Sequence, residues 1–314
     1  MAVRQTQSYL RALFDERGIA PRRSLGQNFL VDLNIHDTIV KAAAIEPGDV
    51  VLEIGSGTGA LTALMASLGA EVVAVEVDPA MAQLTTEAVA NLLHARVLHM
   101  DILRNKNNLN PLVLEAVEGV LAEVPGRRLK LVANLPYHVA TPVILNLLVH
   151  PSLSPALMVV TIQRELADRF CAVPTTKPYG AASVLVQALG EASIARTLPP
   201  TVFWPRPKVD SAVVIIRPDP AKRELVADVA WFQDVVRRVF LHRRKSIRHA
   251  LSAMWGDHWN KTDVDAWLAL RGLSGQLRPE ALNAEEFVAL AHALRDHGKT
   301  LLPTDTEIEP PIEE

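Results

Sequence analysis

The segment Val50-Val51-Leu52-Glu53-Ile54, followed at once by Gly55-Ser56-Gly57-Thr58-Gly59, restricts the folds open to this chain more than any other. A β-branched apolar run of this length reads as a buried strand, and Ala60 to Leu68 has helical spacing and strong helix formers. Glycines at alternate positions between them allow a sharp turn and let a ligand approach the backbone closely. The alternation then repeats: a strand over Glu71 to Val75 ending in Glu76, a helix from about Pro79 to Asn91, and a strand over Arg96 to Met100 ending in Asp101. A helix from about Pro111 to Glu123 and a strand over Leu129 to Ala133 continue it. Such alternation implies right-handed crossovers and an open, doubly wound α/β fold with a parallel, Rossmann-like sheet.

Before this unit, residues 6 to 17 predict a helix that Gly18 ends. A polar loop from Pro21 to Leu30 then leads to a helix over Leu33 to Ala44 that Asp32 can cap. After it, Asn134-Leu135-Pro136-Tyr137-His138 sits at a strand's C-terminal end, the edge of a parallel sheet where ligands bind. Taken alone, an amide, a proline and an aromatic there are also compatible with a simple turn and a core tyrosine. A helix from Thr141 to Leu148, a strand from Ala156 to Ile162 and a polar-faced helix with Arg164, Glu165, Asp168 and Arg169 follow. Shorter runs at Ser183–Leu189, Ala192–Leu198 and Ala212–Ile216 lack intervening helices and predict an antiparallel edge.

Composition shifts near Pro218-Asp219-Pro220, and the remainder shows helical patterns at about 231–241, 245–254, 263–270 and 284–296, with Thr262 and Asn283 as caps of the last two. The expected organisation is an α/β domain over 1–222, a small all-helical domain over 223–300 and an acidic, disordered tail over 301–314. A single cysteine, Cys171, excludes an intrachain disulfide framework and a Cys-rich metal site, and no metal is expected. No apolar run is long enough to span a bilayer and Met1 to Arg11 lacks a signal-like block, so a cytoplasmic protein without membrane contact is expected. With a net charge of −3, any nucleic-acid binding must come from local clusters. One such cluster is Arg237, Arg238, Arg243, Arg244, Lys245 and Arg248, with no acidic residue interleaved, a pattern suited to phosphate.

Gly55 to Ala60 fits two templates. Gly-x-Gly-x-x-Ala with Glu76 downstream is compatible with a dinucleotide site, whereas Glu53-x-Gly-x-Gly-x-Gly is the pattern of S-adenosylmethionine (SAM) binding. In either, the Glu76 carboxylate is suited to accept from two ribose hydroxyls.

Asn134-Leu135-Pro136-Tyr137 decides between them. Gly26-Gln27-Asn28-Phe29-Leu30, Glu53 to Gly59, Asn134-Leu135-Pro136-Tyr137 and Phe203-Trp204-Pro205-Arg206-Pro207-Lys208-Val209-Asp210-Ser211, in that order, resemble the ribosomal RNA adenine dimethyltransferase family (KsgA type). The likeness extends to Phe240-Leu241-His242-Arg243-Arg244-Lys245 and Leu277-Arg278-Pro279-Glu280 and runs from about residue 18 to about 295.

The resemblance implies a SAM-dependent methyltransferase domain and a helical rRNA-binding domain, together dimethylating the N6 amines of two adjacent adenines near the 3′ end of small-subunit rRNA. It implies that Gln27, Asn28 and Leu30 hold the methionine end of SAM, Glu53, Gly55 and Gly57 its cradle, Glu76 and Val77 its ribose, and Asp101 with Ile102 its adenine. Asn134, Leu135, Pro136 and Tyr137 would receive the target base, Asn134 also bordering the cofactor, and Phe203 would close the base's other face. Glu53 reads equally as a ligand contact or as a hydrogen-bonded support for the loop. His138 reads as a capping or packing residue rather than a base. The expected partners are small-subunit rRNA and an assembly intermediate of the small ribosomal subunit, bound by a monomer. Alternatives are a large-subunit rRNA adenine methyltransferase and a non-catalytic assembly factor, with a dinucleotide oxidoreductase a distant third. The Asn-rich stretch at 105–110 departs from the family pattern and has no assigned role.

Overall fold

The computed structural model describes residues 5–105, 108–255 and 259–301. The acidic tail predicted over 301–314 therefore lies, past Leu301, outside the described residues.

Thr6 accepts from the Tyr9 N–H to start α1 (Gln7–Arg17), and Gly18 ends it in the left-handed conformation. A short strand, β1 (Phe29–Leu30), precedes α2 (Leu33–Ala43), capped by Asp32 as its sequence predicts. The strands β2 (Val50–Ile54), β3 (Glu71–Glu76) and β4 (Ala95–His99) alternate with α3 (Ala60–Ser67) and α4 (Pro79–Val89). The Asn-rich stretch, apart from Lys106 and Asn107 outside the described residues, forms a hairpin of β5 (Leu103–Asn105) and β6 (Asn108–Leu109). Asn110 then caps α5 (Pro111–Glu123) and sends its side-chain N–H to the Asp101 carbonyl, so the hairpin is fastened to the end of β4.

Next come β7 (Leu129–Asn134), α6 (Tyr137–Val149), β8 (Leu157–Gln163) and α7 (Arg164–Phe170). They are followed by α8 (Ala181–Leu189), β9 (Gly190–Leu198), β10 (Phe203–Trp204) and β11 (Ser211–Pro218). The helices α9 (Pro220–Val226), α10 (Val229–Leu241), α11 (Ile247–Trp255), α12 (Lys261–Ala269) and α13 (Ala284–Leu301) complete the described chain, in which no helix is long and apolar enough to cross a membrane.

Seven strands form one sheet in the order β4-β3-β2-β7-β8-β11-β9, parallel from β4 to β8 and antiparallel at β11 and β9. The order reverses between β2 and β7, and the crevice beyond the ends of those two strands is where an open α/β sheet binds its ligand. Ile35 and Ile39 of α2 and Leu61 and Met65 of α3 pack with Val51, Val72, Val132, Val159 and Val213 into one buried cluster over the sheet.

Three local readings are corrected. Ser183–Leu189 is part of helix α8, not a strand; nearly every side chain from Val184 to Leu189 is buried, so no polar alternation distinguishes the two, and Ala181, Ala182 and Ala188 favour a helix. The helix after Asn134 begins at Tyr137 rather than Thr141, with Pro142 inside it. The N–H that Pro142 lacks orphans only the carbonyl of exposed His138. Asn260, not Thr262, caps α12 by accepting from the N–H groups of Thr262 and Asp263, while Asn283 and Glu286 exchange reciprocal side-chain-to-backbone hydrogen bonds at the start of α13.

The chain forms two compact units. One holds the chain through Cys171 together with Leu189–Asp219, and the other holds Ala172–Ala188 together with the chain from Pro220 onward. The second unit thus takes in a segment well before the composition shift at 218–220. Tyr179 Oη donates to the Leu282 carbonyl at 2.8 Å and the Thr175 N–H donates to Glu280, which ties that segment to the C-terminal helices.

Within the apolar run of β7, Lys130 is buried, its Nζ 2.6 Å from Asp49 and donating to the Ala43 and Ala44 carbonyls. A buried ammonium with this many acceptors is satisfied only as a set. Replacing Lys130 by Met is expected to lower unfolding free energy by about 1–3 kcal/mol, because Asp49 keeps Arg128 and the Glu46 N–H but loses its buried partner, and the Ala43 carbonyl loses its donor; urea titration measures this.

Candidate active site

The Gly-rich turn sits at the switch point. Gly55, Gly57 and Gly59 all have positive φ, at 75°, 58° and 77°. Gly55 continues the β2 ladder by donating to the Val75 carbonyl, and a Cβ there would lie 2.9 Å from Pro136 Cδ. Gly57 faces Phe29 and Gly59 faces Thr85 as tightly. The turn is therefore pressed between the Asn134–Tyr137 segment on one side and β1 and α4 on the other.

Beside it opens a cleft, open to solvent at its mouth, with an interior volume of about 110 Å³. Gln27, Asn28, Gly55, Gly57, Glu76, Val77, Asp101, Ile102, Asn134, Leu135, Pro136 and Tyr137 all line it, bringing together residues from five parts of the sequence. Leu30, Glu53 and Phe203 do not. Leu30 and Phe203 pair across the β1–β10 ladder and belong to the buried cluster with α2, so Phe203 closes no face of the cleft. Glu53 is buried beneath the turn and accepts from Thr62 Oγ1 at 2.5 Å, which makes it a support for the loop. Burial pushes its carboxyl up to about 8, against the lowering effect of the Thr62 hydroxyl.

Glu76 lines the cleft with both carboxylate oxygens held by backbone donors. Oε2 accepts from the Gly57 N–H at 2.8 Å and Oε1 from the Asp78 N–H at 3.0 Å. Burial raises its pKa, and the two backbone donors oppose that rise. Each oxygen retains a lone pair for a diol. Asp101, also in the lining, accepts from the Leu103 N–H through Oδ1.

At the other wall, Asn134 Nδ2 donates to the Asn28 carbonyl at 2.9 Å, which fixes the amide so that Oδ1 is the open acceptor. The Pro136 carbonyl accepts from the Val139 N–H in the first turn of α6, whereas no donor meets the Leu135 carbonyl among the described residues. Tyr137 Oη lies 2.7 Å from Ser211 Oγ, and burial raises the phenol's pKa. Tyr137 and His138 stand in a helical first turn rather than on a loop, and the ring of His138 packs over Gly26.

Several lining residues carried no role in the sequence reading: Phe29, Met100, Gly26 and Ile54. Phe29 forms an aromatic cluster with Phe14 and Trp204, so the motif tryptophan, rather than its neighbour Phe203, braces the wall beside Gly57. Ser211, fully buried, is the anchor of Tyr137; its place in the quoted motif was the available signal.

The basic cluster is largely paired. Arg237 and Arg238 both reach Asp234, Arg243 reaches Glu280 and Arg248 reaches Asp265. Helical spacing brings Asp234 under two of these arginines, and folding supplies the other two acids from distant sequence. Arg244 and Lys245 are exposed and have no ion pair among the described residues.

A dimethyladenosine transferase from Plasmodium falciparum has the same fold, with a TM-score of 0.66 at 21% identity over 85% of this chain and 97% of that one. The 23S rRNA methyltransferase ErmE gives 0.57 at 22% identity over 85% of this chain and 100% of its own. The doubly wound sheet with its switch-point cleft is thus a fold shared with these two transferases. The family described as ribosomal RNA adenine dimethylase matches residues 19–266. Two proteins named ribosomal RNA small subunit methyltransferase A are similar over nearly their whole length: that of Ligilactobacillus salivarius is 38% identical over 92% of this chain and 95% of its own, and that of Pelotomaculum thermopropionicum 39% over 95% and 99%. The chain belongs to the ribosomal RNA adenine dimethylase family.

Two outcomes follow from this geometry. Gly55→Ala places a methyl against Pro136 at a positive φ; a cost of about 2 kcal/mol is expected, and displacement of Asn134 should slow methyl transfer by about a hundredfold, read by denaturation and turnover assays. Glu53 holds a proton in the native state that the unfolded chain releases, so stability falls as pH rises from the ordinary glutamate range to about 8. The slope is on the order of 1 kcal/mol per pH unit, and Glu53→Gln should flatten it in melts taken across that window.

Proposed function

We propose that this protein uses SAM to dimethylate the N6 amines of two adjacent adenines near the 3′ end of small-subunit rRNA, on an assembly intermediate of the small ribosomal subunit. The observation that carries this reading is the fixed amide of Asn134, held through Nδ2 by the Asn28 carbonyl with Oδ1 open to the cleft.

The residues present fit the cofactor. Gly55 and Gly57 line the cleft with backbone and no side chain of their own, Glu76 offers two acceptors to a ribose diol, and Asp101 with Ile102 lies where an adenine edge would rest. When bound, SAM supplies an electrophilic methyl on a sulfonium. Asn28 and the turn would hold its amino-acid end; Leu30 and Glu53 would act only from behind.

An adenine amine is a weak nucleophile because its lone pair is delocalised into the ring. Asn134 Oδ1 and the Leu135 carbonyl accept its two protons, which favours the pyramidal form and aims the lone pair away from both acceptors. Pro136's carbonyl, already engaged by Val139, is the poorer second acceptor. Tyr137, steadied by Ser211, offers its ring to the unstacked base. The amine proton leaves to water after transfer. Arg244 and Lys245 are the first candidates for rRNA phosphates, since the other four basic residues already meet carboxylates. The designation of the two relatives as small-subunit enzymes favours that subunit over the large one.

Asn134→Ala should slow methyl transfer to immature small subunits by about 10²–10³-fold, a loss larger than any change in SAM affinity. Mapping of dimethyladenosine in rRNA from cells with and without the protein locates the target. A folded, SAM-binding preparation that leaves small subunits unmethylated would overturn the proposal.

A further inference from the structure

The segment Arg22–Asn28 borders the cleft as a strap, with Leu25 to Asn28 in its lining, and a single carboxylate fastens it. Asp78 is 2% exposed. Its Oδ1 accepts from the Ala80 N–H at 3.0 Å, the ordinary cap of α4. Its Oδ2 is committed elsewhere, accepting from Gln27 Nε2 at 2.9 Å with Arg22 Nε at 3.4 Å. Gln27 Oε1 in turn accepts from the Arg22 N–H at 2.7 Å, so both ends of the Gln27 amide are engaged and the side chain pins the strap to itself and to Asp78.

The same residue reaches the cofactor wall through its backbone, donating from N–H to Glu76 Oε1 at 3.0 Å, while Glu76 Oε2 accepts from Gly57 at 2.8 Å. An unbroken chain of hydrogen bonds thus runs from the strap through Asp78 and Glu76 to the Gly-rich turn. The strap's far end carries the Asn28 carbonyl that orients Asn134. A helix cap needs only one side-chain oxygen, and a buried second oxygen directed at the strap has no part in capping.

We infer that Asp78 is a positioning residue that fastens the Arg22–Asn28 strap beside the cleft and thereby sets how long the cofactor stays bound. Gln27 then acts as the strap's pin rather than as a contact to the methionine end. This rests on the proposed use of SAM only for its second half; the fastening itself is a property of the protein without ligand.

Asp78→Asn separates the two roles of the carboxylate, because asparagine caps a helix as well as aspartate while its Nδ2 would confront Gln27 Nε2 donor to donor. Hydrogen exchange on the ligand-free variant is expected to rise about tenfold or more at the backbone amides of residues 22–27, with little change in α4. Calorimetry and stopped-flow mixing with SAM are expected to show affinity lower by about tenfold, carried by faster release. Turnover at saturating SAM should fall less than KM rises. Combining Asp78→Asn with Gln27→Glu restores a donor–acceptor pair in reversed polarity and should recover most of both effects. Unchanged exchange at residues 22–27 in Asp78→Asn, or weaker SAM binding that the double variant does not recover, would overturn the inference. Faster strap exchange in a protein whose wild type binds no SAM would uphold the fastening and sink the proposed function instead.

Discussion

The contact between Pro136 and Gly55 is the constraint on which the rest of the site depends. β2 and β7 are neighbours in the sheet, so the turn that follows one and the segment that follows the other emerge side by side. Because position 55 has no Cβ, the pyrrolidine ring rests directly on the turn. Proline limits the conformations of its own segment, so the wall that faces the target and the wall that faces the cofactor behave as a single rigid surface. A methyl acceptor and a methyl donor have to meet within a fraction of an ångström, and this contact removes the slack between their two supports.

Around that contact the polar groups fall into layers. Glu53 and Thr62 lie below the turn, out of reach of the cleft, and help keep its backbone in shape. Glu76 lies in the cleft wall with both oxygens held by backbone N–H groups, so its charge is stabilised by dipoles that do not have to reorganise. Ser211 and the Asn28 carbonyl perform the equivalent service for Tyr137 and Asn134. Asn134, Tyr137 and Glu76 are thus each fixed by a neighbouring backbone or hydroxyl group before any ligand arrives.

Much of this was legible in the sequence because strand ends are legible. A β-branched run followed by glycines, or an acidic residue after an apolar run, marks both an element boundary and a position on the binding edge of the sheet. Glu76, Asp101 and Asn134 all fall there. What sequence order conceals is which side chain a given one meets. Phe203 stands in a motif yet turns into the core beside Leu30, while Trp204 braces Phe29. The run of bases from Arg237 to Arg248 looks unpaired until Asp265 and Glu280 arrive from the helices that follow. Helix α8 carries no amphipathic helical signature in the sequence, because a short segment buried almost all round has no periodicity to read.

The discontinuity of the second unit bears on how the chain is made. The residues from Ala172 to Ala188 leave the ribosome before the strands β9, β10 and β11, yet their packing partners are the last helices to be synthesised. Tyr179 waits 103 residues for the carbonyl it binds at Leu282. The sheet can be complete while this segment, with Val184, Leu185 and Val186 on it, still lacks its neighbours. Cutting the chain at the visible change of composition would therefore not yield a self-sufficient catalytic half, because the apolar helix left behind belongs to the part removed.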